Sequence, residues 1–226
     1  VTRRKRQEWI LKVPVVVENV AGASGPVGAG RVAKAPPDGY TMLYGSQAVF
    51  VQNPFFYKLA FDPVKDLTPV SYGAITGLFQ LVNKSLGVTT LQQLVALAKA
   101  NPGKLTYGSS GVASSGNITG ELFKKRAGIG IRHIPYKSST TILTDLLADR
   151  ISMFFFTYAY AEQHIKAGNL VALAYTGKDR LPAPSHIPTF AESGFPGFDQ
   201  TLWSSFFVPA GTSKEAVAKL NAAVHH

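Results

Sequence analysis

Two periodicities divide the chain. Short runs rich in β-branched and aromatic residues, at 15–18, 40–45, 70–74, 79–83, 105–107, 129–133, 151–156, 170–175 and 203–208, read as strands bounded by glycine, proline and small polar residues. Between them apolar residues recur at helical spacing over 27–35, 91–100, from Ile118 onward, 141–149, 158–167 and 214–224. In 91–100 one face carries Leu91, Leu94, Val95 and Ala98; Thr90 caps the start, and Asn101, Pro102 and Gly103 stop the helix. Trp9, Ile10 and Val13 are expected on the inner face of a helix that leads into a buried strand at 15–18. Strands alternating with helices of about a dozen residues predict an α/β protein with one mainly parallel sheet, or two.

The stretch from Leu105 to Phe123 departs from this pattern. A strand feeds a loop crowded with Ser109, Ser110, Gly111, Ser114 and Ser115, then a helix whose apolar face begins at Ile118, Leu122 and Phe123. A polar, glycine-rich helix entrance leaves free N–H groups at the positive end of the helix dipole, which suits a carboxylate. Capping of the helix by Ser114 or Ser115 is the other reading of the same residues. The arrangement recurs where Pro135, Tyr136, Lys137, Ser138 and Ser139 precede the helix at 141–149, and again where the strand at 40–45 ends at Ser46 and Gln47. Polar residues at the carboxyl ends of strands stand where open α/β sheets bind ligands.

Composition narrows the chemistry. A chain of 226 residues, 46% hydrophobic and 16% charged, can bury a sizeable core as one domain or two. No apolar run is long enough to span a membrane as a helix. Without cysteine, disulfides, thiolate catalysis and cysteine-ligated metals are excluded. The net charge of +10 is concentrated at Arg3, Arg4, Lys5, Arg6 and Lys12 and otherwise spread thinly, with no basic stripe interleaved with aromatics, so a nucleic-acid partner is not expected.

Enzyme signatures are sparse. Gly28, Gly30 and Ala33 match the dinucleotide fingerprint, but too far beyond the strand at 15–18 to function as one. His133, His164, His186, His225 and His226 form no metal-binding spacing, and no carboxylate pair stands out, so neither metal nor cofactor is expected. No G-x-S-x-G elbow occurs. A serine of the 109–115 loop acting as a hydrolase nucleophile is the alternative to a binding protein.

Several phrases in order along the chain resemble one family, the tripartite tricarboxylate transporter solute receptors, also called TctC or Bug periplasmic binding proteins. They are Val15-Val-Val-Glu-Asn19 with Gly22 and Gly25, Ala33-Lys-Ala-Pro-Pro-Asp-Gly-Tyr-Thr41, Tyr57-Lys-Leu59, Phe61-Asp-Pro-Val-Lys-Asp66, Ala98-Lys-Ala-Asn-Pro-Gly-Lys-Leu105, Tyr107-Gly-Ser-Ser-Gly111, Gly120-Glu-Leu-Phe123, His133-Ile-Pro-Tyr-Lys137, Thr144-Asp-Leu-Leu147 and Pro209-Ala-Gly-Thr212. The resemblance implies a type 2 periplasmic-binding-protein fold with a ligand cleft between two lobes, here 1–81 with 199–226 and 82–198. It implies a monomeric periplasmic receptor that captures a small carboxylate for a membrane permease. Matching ligand positions are Ser46, Gln47, Ser109, Ser110, Gly111, Ser114, Asn117, Tyr136 and Lys137, with Phe156 and Thr157 on the far side. Phe156 stands where the family commonly has aspartate, and Ser138 where it has glycine; the first change suits an aromatic or otherwise apolar carboxylate, beside which a dicarboxylate stays open. The family's first strand and glycine-rich loop are expected before residue 1 and its tail after Val224. The chain is therefore expected to be a piece of a longer receptor, and a non-binding fragment is a further alternative.

Overall fold

A computed structural model describes residues 11–20 and 25–225. The chain forms two compact units: one runs to Ile75 and resumes at Trp203, and the other is Thr76–Leu202.

In the first unit, helix α1 (Pro26–Ala33) is followed by strand β1 (Leu43–Ser46), a π-helical turn (Ala48–Gln52) and a single helical turn, α2 (Asn53–Phe56). Strands β2 (Leu67–Thr76) and β8 (Leu202–Pro209) and helix α7 (Lys214–His225) complete it. The sheet order is β1-β8-β2, with β1 antiparallel to β8. One sheet face packs Phe207 and Leu67 with Val32, Val49 and Phe61; the other packs Val70, Phe206 and Val208 against Leu220 of α7.

The second unit contains β3 (Phe79–Asn83), α3 (Leu91–Ala100), β4 (Thr106–Ser109), α4 (Ser115–Ala127), β5 (Arg132–Pro135), α5 (Ser139–Leu147), β6 (Met153–Phe156), α6 (Tyr158–Lys166) and β7 (Leu170–Tyr175). Its sheet has the order β5-β4-β6-β3-β7. Strand β4 is parallel to β5 and β6, while β3 runs against both β6 and β7, so four strands share one direction and β3 alone is reversed. Helical crossovers join the parallel strands in sequence, as parallel pairing requires. One face, with Tyr107, Phe155 and Val82, is covered through Phe123 of α4 and Leu94 of α3; the other, with Leu81 and Phe154, is covered through Ile142 and Leu146 of α5. After β4 the chain goes to one side of the sheet, and after β5 it crosses to the other. The carboxyl ends of β4 and β6 therefore flank a topological switch point, where open α/β sheets leave a crevice.

Thr176 ties the unit's two ends together. Its amide donates to the Leu78 carbonyl (2.8 Å) and its hydroxyl accepts from the Leu78 amide (2.8 Å). The same hydroxyl donates to the Gln200 carbonyl (3.1 Å), while the Gln200 amide donates to the Thr176 carbonyl (2.9 Å).

Several sequence expectations are corrected. Residues 15–18 form no strand, and Val16 and Val17 are 83% and 59% exposed. β-Branched residues become a strand only when a ladder and a packing face receive them. Val13 is exposed rather than inward, and Trp9, Ile10 and Gly22 lie outside the described residues. Strand β1 begins at Leu43, not Tyr40, and of its four residues only Gly45 is buried. The strand expected at 129–133 is shifted to Arg132–Pro135. The mainly parallel expectation does not describe the first unit's β1–β8 pair, which is antiparallel. By contrast, the expected helix over 27–35 is present as α1, and Gly28 and Gly30 lie inside it, Gly30 giving room to the Phe61 ring.

Candidate functional site

Strand β4 aims the loop that precedes α4. Gly108 is required there because a Cβ would collide with Ile142 and Ile151. Tyr107, fully buried, donates its hydroxyl to Glu121 Oε1 (2.7 Å) and accepts from Asn117 Nδ2 (2.9 Å). Burial and the neighbouring Glu121 carboxylate push this phenol well up. Burial would also raise Glu121, but hydrogen bonds from Lys124 and Tyr107 outweigh it and hold that carboxyl below its usual value.

The loop itself is closed by side chains. Ser109 Oγ donates to the Gly111 carbonyl (3.0 Å), accepts from the Gly111 amide (3.2 Å) and lies 2.6 Å from His133 Nε2. Ser114 Oγ donates to the Gly111 carbonyl (2.7 Å) and caps α4 by accepting from the Asn117 amide (3.3 Å). Asn117 Oδ1 accepts from the Ala113 amide (3.1 Å). Gly111 (φ 116°) and Ala113 (φ 63°) take left-handed backbone, which an alanine adopts only at a cost in strain. With Ser114 spent on the cap, the amides of Ser115 and Gly116 donate to no protein group among the described residues. Both readings of the helix entrance therefore hold at once: the helix is capped, and two of its amides remain free at the positive end of the dipole.

Two further helices begin at the same sheet edge. The Tyr136 amide donates to the Ser109 carbonyl (2.8 Å), joining the β5 loop to the β4 loop. Burial and Asp145, which accepts the Tyr136 hydroxyl at 2.8 Å, push that phenol up to about 12. Lys137 is exposed, and Ser138 caps α5 by accepting from the Thr141 amide (3.3 Å). At the end of β6, Phe156 is half-buried, stacked on Phe154 (centroids 4.6 Å, 20°) and tilted against Tyr160 (5.1 Å), which is 71% exposed. Thr157 stands at the α6 N-cap without making a capping bond, and its Oγ1 is buried with no protein partner among the described residues.

The second unit thus gathers Ser109, Ser110, Gly111, Ser114 and Asn117 on one loop, Tyr136 and Lys137 on the next, and Phe156 and Thr157 on the third. Ser46 and Gln47 belong to the first unit, at the carboxyl end of β1, where Ser46 is exposed and Gln47 Oε1 is buried with no protein partner among the described residues. Sequence reasoning expected free amides at this helix start without naming Ser115 and Gly116 as their source, and it missed the ring of Tyr160. The four-residue spacing from Phe156 to Tyr160 at a helix start was the available signal.

Residues 3–226 match the model of the family described as the Tripartite tricarboxylate transporter family receptor. The chain belongs to this family. It is 34% identical to BugT of Bordetella pertussis over 93% of its own length, and it spans 65% of BugT's length. Among solved structures of TctC-type receptors and their relatives, Rpa4515 of R. palustris with adipate matches at 35% identity and a TM-score of 0.93, covering 98% of this chain and 75% of that one. MatC of Rhodopseudomonas palustris with bound malate matches at 28% and 0.89, covering 99% and 76%. No helix among the described residues is long and apolar enough to cross a membrane.

Ser109 is fully buried, and its hydroxyl, with one proton to give, can donate to the Gly111 carbonyl or to His133 Nε2 according to the imidazole tautomer. Through this contact His133 ties β5 to the loop after β4. Burial holds its pKa below the usual 6.5, assisted by Lys124 and opposed by Glu121. Below about pH 6.5 the unfolded chain therefore binds a proton that the folded chain resists, and stability present above that pH is lost as pH falls toward the folded-state pKa. The thermal midpoint is expected to fall between pH 7.5 and 5.5, and His133→Gln, whose amide can still donate to Ser109, should fall less. Scanning calorimetry at the two pH values checks this; equal falls would remove His133 from the account.

Proposed function

We propose that this chain binds a small carboxylate at the carboxyl edge of β4, β5 and β6, as part of an extracytoplasmic receptor that serves a tripartite tricarboxylate-type permease from the periplasm. The observation that carries this reading is the convergence of three helix starts at the switch point, with the Ser115 and Gly116 amides free. A carboxylate there accepts from backbone N–H groups and from the hydroxyls of Ser110 and Thr157 without needing a buried cationic clamp, and exposed Lys137 adds attraction at the rim. Ser109, Gly111, Ser114, Asn117 and Tyr136 act by holding the loops in shape. Ser46 and Gln47, on the first unit at the carboxyl end of β1, are proposed as ligand-binding residues of that unit. Adipate and malate in the relatives' structures support the carboxylate class.

The non-carboxylate end of the ligand is proposed to be aromatic. The Phe154, Phe156 and Tyr160 rings form a ladder that runs from the core to the surface at the end of β6, offering a flat apolar face. Calorimetric titration with benzoate, phenylacetate, adipate and malate tests both parts. Any of these acids binding, with loss when Gly116→Pro removes an amide, supports the carboxylate site. Aryl acids binding tighter, with about three- to tenfold weakening in Phe156→Ala, supports the aromatic end. Preference for adipate or malate unchanged in Phe156→Ala would sink the aromatic reading alone, and failure of all four acids counts against the site.

A further inference from the structure

Gln80 is a polar residue in the middle of the second unit's sheet. It is 0% exposed, and neither the oxygen nor the nitrogen of its carboxamide has a hydrogen-bond partner among the described residues. It stands opposite Phe155 on β6 and Ala174 on β7 in antiparallel register, so its side chain lies on their sheet face. That face carries an apolar cluster that includes Phe155, Ala174, Leu78 and Val82 and is roofed by Phe123 of α4.

Helix α4 contributes a second orphan. Thr119 is 0% exposed, and its Oγ1 has no partner among the described residues. Thr119 shares a helix face with Gly116, three residues earlier, and Phe123, four later. Both neighbours locate that face: a Cβ on Gly116 would lie 3.5 Å from the Phe155 carbonyl oxygen, and the Phe123 ring is 6.2 Å from the Phe155 ring. Gly120, which follows Thr119, is pressed against Tyr107 on β4. Thr119 therefore looks away from β4, toward β6 and the adjoining β3, where Gln80 stands.

We propose that Gln80 and Thr119 line an internal hydration site beneath the first two turns of α4, in which one or two water molecules bridge the carboxamide to the hydroxyl. The carboxamide can donate twice and accept, the hydroxyl can donate once and accept, and a water molecule needs two to four such partners to stay in an apolar interior. Two orphaned groups facing one another inside a phenylalanine-rich cluster provide that set. The proposal is independent of what the loops above α4 bind.

A crystal structure at about 1.5 Å resolution is expected to show ordered water within hydrogen-bonding distance of both side chains. A direct bond between Gln80 and Thr119, or bonds from each to other protein groups with no water between, would overturn the proposal. Denaturant unfolding of Gln80→Leu, Thr119→Val and the double variant supplies a second readout. Each single change should lower the folding equilibrium constant about tenfold or more by orphaning the bridge, and the double change should cost clearly less than the product of the two. Strictly multiplicative effects, or a Gln80→Leu variant more stable than the parent, would count against it.

Discussion

Replacing Phe123 by alanine is expected to destabilise the second unit by about 3–5 kcal/mol, the range for deleting a fully buried aromatic ring. Phe123 is 0% exposed and meets Phe155, Phe190 and Phe195 edge-on at 6.2, 5.6 and 5.6 Å. Through this one ring α4 touches both the sheet and the long segment after β7. That segment is held by Phe190, whose ring stacks on Phe198 at 4.4 Å and whose amide donates to the Tyr175 carbonyl at 2.9 Å. Truncation leaves a cavity with rings on several sides and few flexible groups able to fill it. Denaturant unfolding followed by tryptophan-independent circular dichroism measures the loss, and Phe123→Leu should recover more than half of it. A cost below about 1 kcal/mol for the alanine variant would mean that the cluster is not packed as described.

Gly120→Ala carries the second large effect, because its consequences reach the candidate site. The added methyl would sit closer than 3.0 Å to three atoms of the Tyr107 ring. That ring has little room to retreat: the His133 ring lies 4.9 Å away, and the hydroxyl is tied to Asn117 and Glu121. Either α4 lifts from β4 or the hydroxyl network breaks. Overpacking of this kind costs about 1–3 kcal/mol, and a buried Asn117 amide left without its partner adds about 1–3 more. Because the Ser115 and Gly116 amides ride on the same helix, carboxylate affinity should fall together with stability. Tyr107→Leu added to Gly120→Ala should restore packing more than it restores binding. Calorimetry beside unfolding separates the two, and a Gly120→Ala protein with unaltered stability would show that α4 does not approach β4 as closely as described.

What the sequence disclosed was chiefly what is encoded locally. Thr90 caps α3, Ser114 caps α4, and β3 and β7 fall at their expected positions. The loop after β4 was legible as a helix entrance because serine and glycine at a strand end leave few other local options. Pairing was much less legible. Nothing within five residues of β3 states that it runs against both neighbours, and the β-branched run at 15–18 looks like a strand whether or not a ladder receives it. The Ser109–His133 contact joins residues on adjacent strands, and the Gln80–Thr119 juxtaposition needs both the strand register and the rotation of α4. Such features depend on long-range geometry that periodicity does not carry.

The stitch at Thr176 bears on the order in which the molecule assembles. Strands β2 and β8 are neighbours in one sheet, yet the chain between them is the whole second unit, more than a hundred residues long. Bringing them together in an unfolded chain means closing that entire loop. Once Thr176 has joined Leu78 to Gln200, the same closure spans only a few residues, which lowers its entropic cost by about 2–3 kcal/mol. The inserted unit can thus serve as a clasp for its host, and if it folds first and so delivers β2 and β8 to each other, a Thr176→Val protein should show its slowest refolding in the three-stranded sheet rather than at the site of the change.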